Sequence, residues 1–234
     1  MDTSYDPPAQ FRTAVDQLIG LAKESTQVRT ALEERLNELG HRNYWPVAYV
    51  LGHLPEPSGA TIRNLLDTLD HREPDIRWAI VLLLVRIAKS ESSIINLLIE
   101  LCESGTANQK RMAIYGLRDL VLNDVASLHA LLSSLSDSDP TVRVAAVTSL
   151  KTRTDGDQRV RAALLQSYLF DADIKVRSAA AVTLANIGLP SEEFLRALKD
   201  ASESDNSQSK KAAAVALALL EKREPASIAG LRQR

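Results

Sequence analysis

Leucine and other apolar residues recur along this chain at the spacing of amphipathic helices, and the helical segments come in pairs. The first helix of each pair, helix A, has apolar residues three and four positions apart, as in Ile94, Leu97, Leu98 and Leu101. The second, helix B, keeps its apolar residues on one face at about 100° per residue. Because only short polar turns join the helices, neighbours should be antiparallel. The pattern predicts an all-α protein.

A basic residue in helix B, seven positions before a closing leucine, marks the same point in successive pairs, and we call it the anchor. The anchors are 33 or 34 residues apart, and one further step of 33 towards the N-terminus reaches Tyr44. A fixed period of this length is typical of a helical-repeat solenoid. We therefore expect about six helix pairs after an N-terminal helix over residues 10–24. The anchors are Arg77, Lys110, Arg143, Arg177 and Lys210.

The same pattern predicts how the chain is divided. A disordered lead should occupy residues 1–9, and a tail should follow at 226–234. No linker is long enough to separate domains, so residues 10–225 are predicted to be a single repeat domain. Its helix pairs should lie at about 27–55, 58–89, 91–121, 124–153, 157–188 and 191–222.

The segment over 137–150 reads Asp-Ser-Asp-Pro-Thr-Val-Arg-Val-Ala-Ala-Val-Thr-Ser-Leu, and residues 171–184 repeat it closely. These segments resemble the HEAT repeat, and the 33-residue form is most similar to the HEAT-like repeats named for phycobilisome lyases. The resemblance covers roughly residues 28–222 and is weak at Tyr44, where the basic anchor is missing. It implies a right-handed alpha-alpha superhelix with the B helices on the concave side. It also implies an Asp–Arg ladder in which Asp137 and Asp171 meet Arg143 and Arg177.

Three functions follow from this resemblance, because the fold alone does not choose among them. Repeats of this family serve mostly as protein-binding scaffolds, some members attach bilins to phycobiliproteins, and a related fold excises alkylated bases. A non-enzymatic adaptor that binds another protein or a peptide is our first hypothesis. A bilin-lyase-like or chromophore-handling protein, with a bilin-carrying protein as partner, is the second. A DNA base-excision enzyme is a remote third, since it would need a basic face.

The face of helix B opposite the apolar face holds the candidate binding residues, at one, five and eight positions after the anchor. Both tryptophans fall at the first of these positions, 33 residues apart. Trp, Tyr and Arg dominate binding hot spots, so we predict a partner-binding groove on the concave face. The alternative places Trp45 and Trp78 in the core, beneath the N-terminal helix. The predicted binding residues are Trp45, Tyr49, Trp78, Leu82, Arg111, Tyr115, Arg118 and Lys151.

Composition narrows the chemistry further. The net charge of −2 argues against nucleic acid as a partner, and no apolar run is long enough to insert into a membrane. The single cysteine, Cys102, aligns with core leucines and fits a reducing compartment, so we expect a cytoplasmic protein. The four histidines are scattered, which argues against a metal site. No catalytic residue and no cofactor are predicted, and the ladder residues are expected to be structural.

Overall fold

The computed structural model describes residues 9–38, 45–121, 124–153, 158–187 and 191–223. Within these ranges the chain forms helices and short turns and contains no strand, so the predicted all-α class is confirmed. The chain divides into two compact units, Met1–Leu120 and Val121–Arg234. Most of the predicted lead, the reference residue Tyr44 and the predicted tail at 226–234 lie outside the described residues. The single-domain boundaries stay a prediction.

The first unit begins with a helix and continues as A and B helices in alternation. Helix α5 packs on both α3 and α7, so the B helices are neighbours, while α6 packs on α7 as the two members of one pair. This is the neighbour pattern expected of stacked helix pairs. The helices are α1 (Ala9–Glu24), α2 (Thr26–Glu38), α3 (Trp45–Gly52), α4 (Gly59–Thr68), α5 (Pro74–Ala88), α6 (Ser93–Ser104) and α7 (Ala107–Asp119).

The second unit repeats this arrangement. The B helices α9, α11 and α13 pack in sequence, and α10 and α12 each pack on the B helix that follows them. Short 3-10 turns extend two of the helices, at Ser134–Ser136 and Leu150–Arg153. The helices are α8 (Val125–Ser133), α9 (Pro140–Ser149), α10 (Gln158–Phe170), α11 (Ile174–Ile187), α12 (Glu192–Glu203) and α13 (Ser207–Arg223).

The periodic apolar residues of the A helices form the core of each unit. At least one leucine or isoleucine in each of the helices α4, α6, α8, α10 and α12 is fully shielded, while the residue beside it is often half-buried at the edge of the core. Burying a leucine side chain contributes about 1.5–3 kcal/mol, so this line of residues is the main reason that the pairs stack. The fully shielded positions include Leu65, Leu69, Ile94, Leu98, Leu131, Leu164 and Leu198.

Helix α7 begins with a capping box formed by Thr106 and Gln109. The Thr106 hydroxyl accepts the Gln109 backbone N–H at 3.3 Å, and the Gln109 side-chain oxygen accepts the Thr106 N–H at 3.0 Å. The Gln109 side-chain nitrogen also donates to the Leu66 carbonyl at 3.2 Å. The cap therefore satisfies two free amides and ties α7 to α4 at the same time.

Replacing Thr106 with alanine is expected to lower the free energy of unfolding by about 1 kcal/mol, because the Gln109 amide loses its acceptor. Urea denaturation would measure the change. Thr148→Ala is the matched control, since Thr148 is exposed inside α9 and bonds only to helix carbonyls. Alanine has the higher helix propensity, so that variant should be as stable as the wild type or slightly more so. Equal losses in both variants would contradict the capping role.

An anchor arginine closes the turn before its own helix in three of the repeats. In one of them, Nη1 of Arg143 donates to the carbonyl oxygens of Asp137 at 2.8 Å and Ser138 at 3.2 Å. The side chain six residues before the anchor accepts the backbone N–H two residues further on, as Asp137 Oδ1 does from Asp139 at 2.8 Å. Both kinds of hydrogen bond recur in two other turns. Arg177 donates to the carbonyls of Asp171 and Ala172, and Asp171 accepts the N–H two residues further on. Arg77 donates to the carbonyls of His71 and Arg72, and the His71 ring accepts the N–H in place of an aspartate.

An ion pair joins two repeats of the second unit. Nε and Nη2 of Arg143 each donate to one carboxylate oxygen of Asp171 at 2.8 Å, and the side chains are only 14% and 8% exposed. Burial opposes ionisation of Asp171, but the hydrogen bonds from Arg143 and Asp173 and the charge of Arg177 outweigh it and lower its pKa. The arginine thus meets the carboxylate of the following repeat and, within its own repeat, the backbone carbonyl of Asp137.

Candidate functional site

The structure places seven of the eight predicted binding residues on the B helices of the first unit. Leu82 on α5 is 50% exposed, and the aromatic and arginine residues among the seven are half-buried. Lys151 is exposed in the second unit, on a short 3-10 turn after α9. We call the first-unit residues the aromatic surface; it comprises Trp45, Tyr49, Trp78, Leu82, Arg111, Tyr115 and Arg118.

A stacked pair of rings connects α5 to α7 within this surface. The Trp78 and Tyr115 rings lie 5.1 Å apart with an interplanar angle of 19°. The Arg118 guanidinium carbon lies 5.0 Å from the centre of the Tyr115 ring, and its Nε pairs with Asp119 at 2.7 Å. Stacking and cation–π contacts each add about 0.5–1.5 kcal/mol to simple burial. The three side chains therefore hold one another in a fixed geometry at the surface.

A second aromatic group lies on α3 and the turn that precedes α5. The Trp45 ring meets the edges of Tyr49 at 6.4 Å and of His71 at 6.3 Å. The Tyr49 ring lies 4.5 Å from His53, whose Nδ1 is 2.8 Å from the Tyr49 carbonyl oxygen and must donate to it. Burial lowers the pKa of His53, so this imidazole is neutral at neutral pH.

One position of the predicted face departs from the expectation. The sequence pattern predicts that the position eight after the anchor faces away from the core, yet Gly52, Val85 and, in the second unit, Ala185 are buried there. An added Cβ at Gly52 would lie 2.9 Å from a Leu83 methyl and 3.0 Å from a Leu65 methyl, so α3 approaches its neighbours closely at that point. In α3 and α5 the face that points away from the core is therefore narrower than predicted. It consists of the positions one and five after the anchor.

The aromatic surface can bind a partner through its rings and its guanidinium groups, and its side chains, all within the described residues, do not form a nucleophile–base pair. Arg111 is half-buried, and its Nε has no hydrogen-bond partner in the described structure. Asp119, the acidic residue nearest the rings in sequence, is paired with Arg118. Cys102 is buried, and desolvation together with the charge of Glu103 raises its pKa to about 12 despite nearby Lys110. Its thiol is therefore protonated and unreactive at neutral pH.

Two other kinds of site have no counterpart among the described residues. No cluster of three or more histidine, cysteine, aspartate or glutamate side chains that could hold a metal ion occurs in the part of the chain that the structure describes. In the same ranges, no helix has the length and apolar character needed to span a bilayer.

One family model matches part of the chain. Residues 128–218, from α8 into α13, match the family model described as HEAT repeats. The match covers less than half of the chain and supports a HEAT-repeat family. The match does not extend to the phycobilisome-lyase type, which stays a resemblance. A search of curated proteins returned no match to this chain.

The repeats matched in the second unit share their turn geometry with the first unit. Arg77 there makes the same two carbonyl contacts as Arg143 and Arg177, at the same offsets from the anchor. HEAT repeats generally mediate interactions between proteins, which supports a scaffold role for this chain.

Sequence reasoning missed two histidines of the aromatic groups, His53 and His71. His71 could have been found, because it stands six residues before the anchor, where Asp137 and Asp171 stand in other repeats. Its Nδ1 accepts the Glu73 N–H at 3.1 Å, the contact that the aspartates make through a carboxylate oxygen. His53 carried no such signal, since its contact depends on how α3 ends.

Proposed function

We propose that this chain is a non-enzymatic scaffold whose aromatic surface binds a segment of another protein. The family supports a protein-binding role, and the choice of face rests on the stack of Trp78 and Tyr115 with Arg118 beside it. Half-exposed aromatic rings next to a guanidinium group are the residue types that dominate binding hot spots. A surface of this kind suits an apolar or aromatic side chain from a partner.

Preorganisation makes the stacked pair the best candidate within this surface. Rings that are already fixed against each other lose little side-chain entropy when a partner covers them, whereas each freely rotating side chain would cost about 0.5–1.5 kcal/mol. Leu82, one turn of α5 beyond Trp78, adds an exposed apolar side chain. Trp78, Leu82 and Tyr115 thus form the apolar centre, and Arg111 and Arg118 supply its cationic groups.

The test is Trp78→Ala, measured on a partner that the wild-type chain has captured and that has then been purified. Loss of a hot-spot tryptophan costs about 2 kcal/mol or more, so the affinity should fall at least tenfold. The free energy of unfolding should fall by less than the roughly 3–5 kcal/mol typical of a core tryptophan. Phe170→Ala is the control, because Phe170 is an aromatic residue, 71% exposed, in the second unit. That variant should bind as the wild type does.

Two results would contradict the proposal. Unchanged affinity of Trp78→Ala would place the binding face elsewhere, and a core-sized loss of stability would support the alternative that Trp78 is a core residue. Adding a bilin and recording visible absorbance tests the second hypothesis. A spectral change that depends on Trp78 would favour chromophore handling over protein binding.

A further inference from the structure

A cavity of about 240 Å³ opens among the last four helices of the second unit. Tyr168, Arg177, Ser178, Asp200 and Ser209 are its polar lining residues, and leucine, isoleucine and alanine side chains complete the wall. It belongs entirely to the second unit and shares no residue with the aromatic surface. An arginine in its wall gives the cavity a specific chemistry.

One edge of the Arg177 guanidinium has no acceptor. Nη1 of Arg177 closes its own turn, but the structure gives Nε and Nη2 no partner among the described residues. In Arg143 those same two nitrogens hold the Asp171 carboxylate, each at 2.8 Å. Arg177 therefore presents the half of the guanidinium that is shaped to bind a carboxylate through two parallel hydrogen bonds.

The missing acceptor has a cause in the sequence. Ser204 stands six residues before Lys210, the place that Asp171 holds before Arg177. Its backbone, at φ −70° and ψ 153°, matches that of Asp137 in the equivalent place, at φ −61° and ψ 146°. The Ser204 hydroxyl oxygen is buried without a hydrogen-bond partner. The next residue, Asp205, is exposed, and no ion pair joins it to Arg177 in the described structure. The repeat therefore keeps the backbone of the pair but lacks its carboxylate.

Asp200 sets a second requirement on a ligand. Its carboxylate lines the same cavity as Arg177, so a ligand with two negative groups would be repelled there. A hydrogen-bond donor placed next to a carboxylate would satisfy both residues. The Tyr168 hydroxyl lies at the wall and donates to the Ala197 carbonyl at 3.0 Å, which fixes the ring beside the cavity.

We propose that this cavity binds a carboxylate group that has an N–H donor next to it. Nε and Nη2 of Arg177 would donate to the carboxylate, as the same nitrogens of Arg143 donate to Asp171. The chemistry is that of a free amino acid or of an aspartate side chain within a protein segment. The proposal does not depend on the aromatic surface, which lies in the other unit, so either can fail alone.

Titration of protein labelled with ¹⁵N in its arginine side chains tests the proposal directly. Three probes are used: L-alanine, N-acetyl-L-aspartate N-methylamide and N-acetyl-L-asparagine N-methylamide. Each of the first two has one carboxylate beside an N–H donor, and the third replaces that carboxylate with an amide. We expect a saturable shift of the Arg177 Nε–H signal with at least one of the two carboxylate probes, and at least tenfold weaker binding of the amide probe. Binding of the blocked aspartate identifies a protein segment as the source, and binding of L-alanine alone identifies a free amino acid. No saturable shift with either carboxylate probe would overturn the proposal.

Ser204→Asp supplies a matched variant that leaves Arg177 in place. The new carboxylate should occupy the open edge of Arg177, so the affinity for the carboxylate probe that binds the wild type should fall at least tenfold, while the melting temperature stays the same or rises. Arg177→Lys should also lose affinity, because an ammonium group cannot make the two parallel bonds. Arg77→Lys, which alters an anchor with the same turn contacts in the first unit, should leave binding unchanged. Wild-type affinity in Ser204→Asp and Arg177→Lys would overturn the proposal.

Discussion

Replacing Phe194 with alanine should lower the free energy of unfolding by about 3–5 kcal/mol, the range for large aromatic residues removed from a core. The Phe194 side chain is 2% exposed, and its ring meets the edge of Tyr168 at 5.4 Å. It occupies the first turn of α12, directly after the Ser191 cap that accepts its backbone N–H at 3.2 Å. The change would therefore leave a cavity between α10 and α12 and remove the support of Tyr168. Urea denaturation followed by circular dichroism would measure the loss.

Phe170→Ala is the matched control for this change, because it removes the same side chain from a site that is 71% exposed. Exposed substitutions of this kind usually change stability by less than about 0.5 kcal/mol. A similar loss in both variants would mean that general destabilisation of the second unit, rather than burial of Phe194, explains the result.

Arg143→Ala should cost roughly 3 kcal/mol, because it leaves the Asp171 carboxylate almost fully buried without its main partner. It also removes the closure of the turn at Asp137 and Ser138. Arg177→Ala removes only the closure of its own turn, since its other edge holds no carboxylate, so its cost should be near 1 kcal/mol. The difference between the variants measures the ion pair, and equal losses would show that the pair adds nothing beyond turn closure. Binding of a partner to the aromatic surface should persist in both.

The same pair predicts a dependence on pH. The pKa of Asp171 in the folded protein is lowered from its ordinary value near 3.8. Its contribution to stability is therefore complete above that value and is lost as the pH falls through the lower, folded-state pKa. The stability advantage of the wild type over Arg143→Ala should shrink as the pH is reduced from neutral to well below the ordinary carboxyl value of 3.8. An advantage that does not change with pH would contradict ionic pairing.

The sequence predicted the helices well because a repeated period constrains every copy at once. The period alone places Leu98 and Leu131 in the core, since each stands at the same point of a 33-residue unit, and both are fully buried. The placement of the aromatic residues on α3, α5 and α7 followed from the same register. What the register could not provide was how closely neighbouring helices approach one another. Val85 is buried, and one of its methyl groups lies 3.7 Å from the place that a Cβ at Gly116 would occupy.

Side-chain partners across repeats were harder to predict from the sequence. The family resemblance linked Asp137 to Arg143, but it could not say that the carbonyl rather than the carboxylate makes the contact. The open edge of Arg177 is recognisable only beside the Arg143–Asp171 pair, which shows what is missing. In the sequence alone, Ser204 in place of an aspartate does not indicate a binding site. It does so only once the structure shows that the aspartate at this position accepts two hydrogen bonds from the preceding anchor arginine.

The turn contacts of the anchor arginines have a consequence for the order of folding. Each of them links residues at most six positions apart, so it can form while the neighbouring repeat is still unfolded. The Arg143–Asp171 pair spans 28 residues and needs α9 and the end of α10 to be in place together. The turn contacts of each anchor arginine should therefore form before neighbouring repeats pack on one another. Each repeat would pack on its neighbour with its turn already formed.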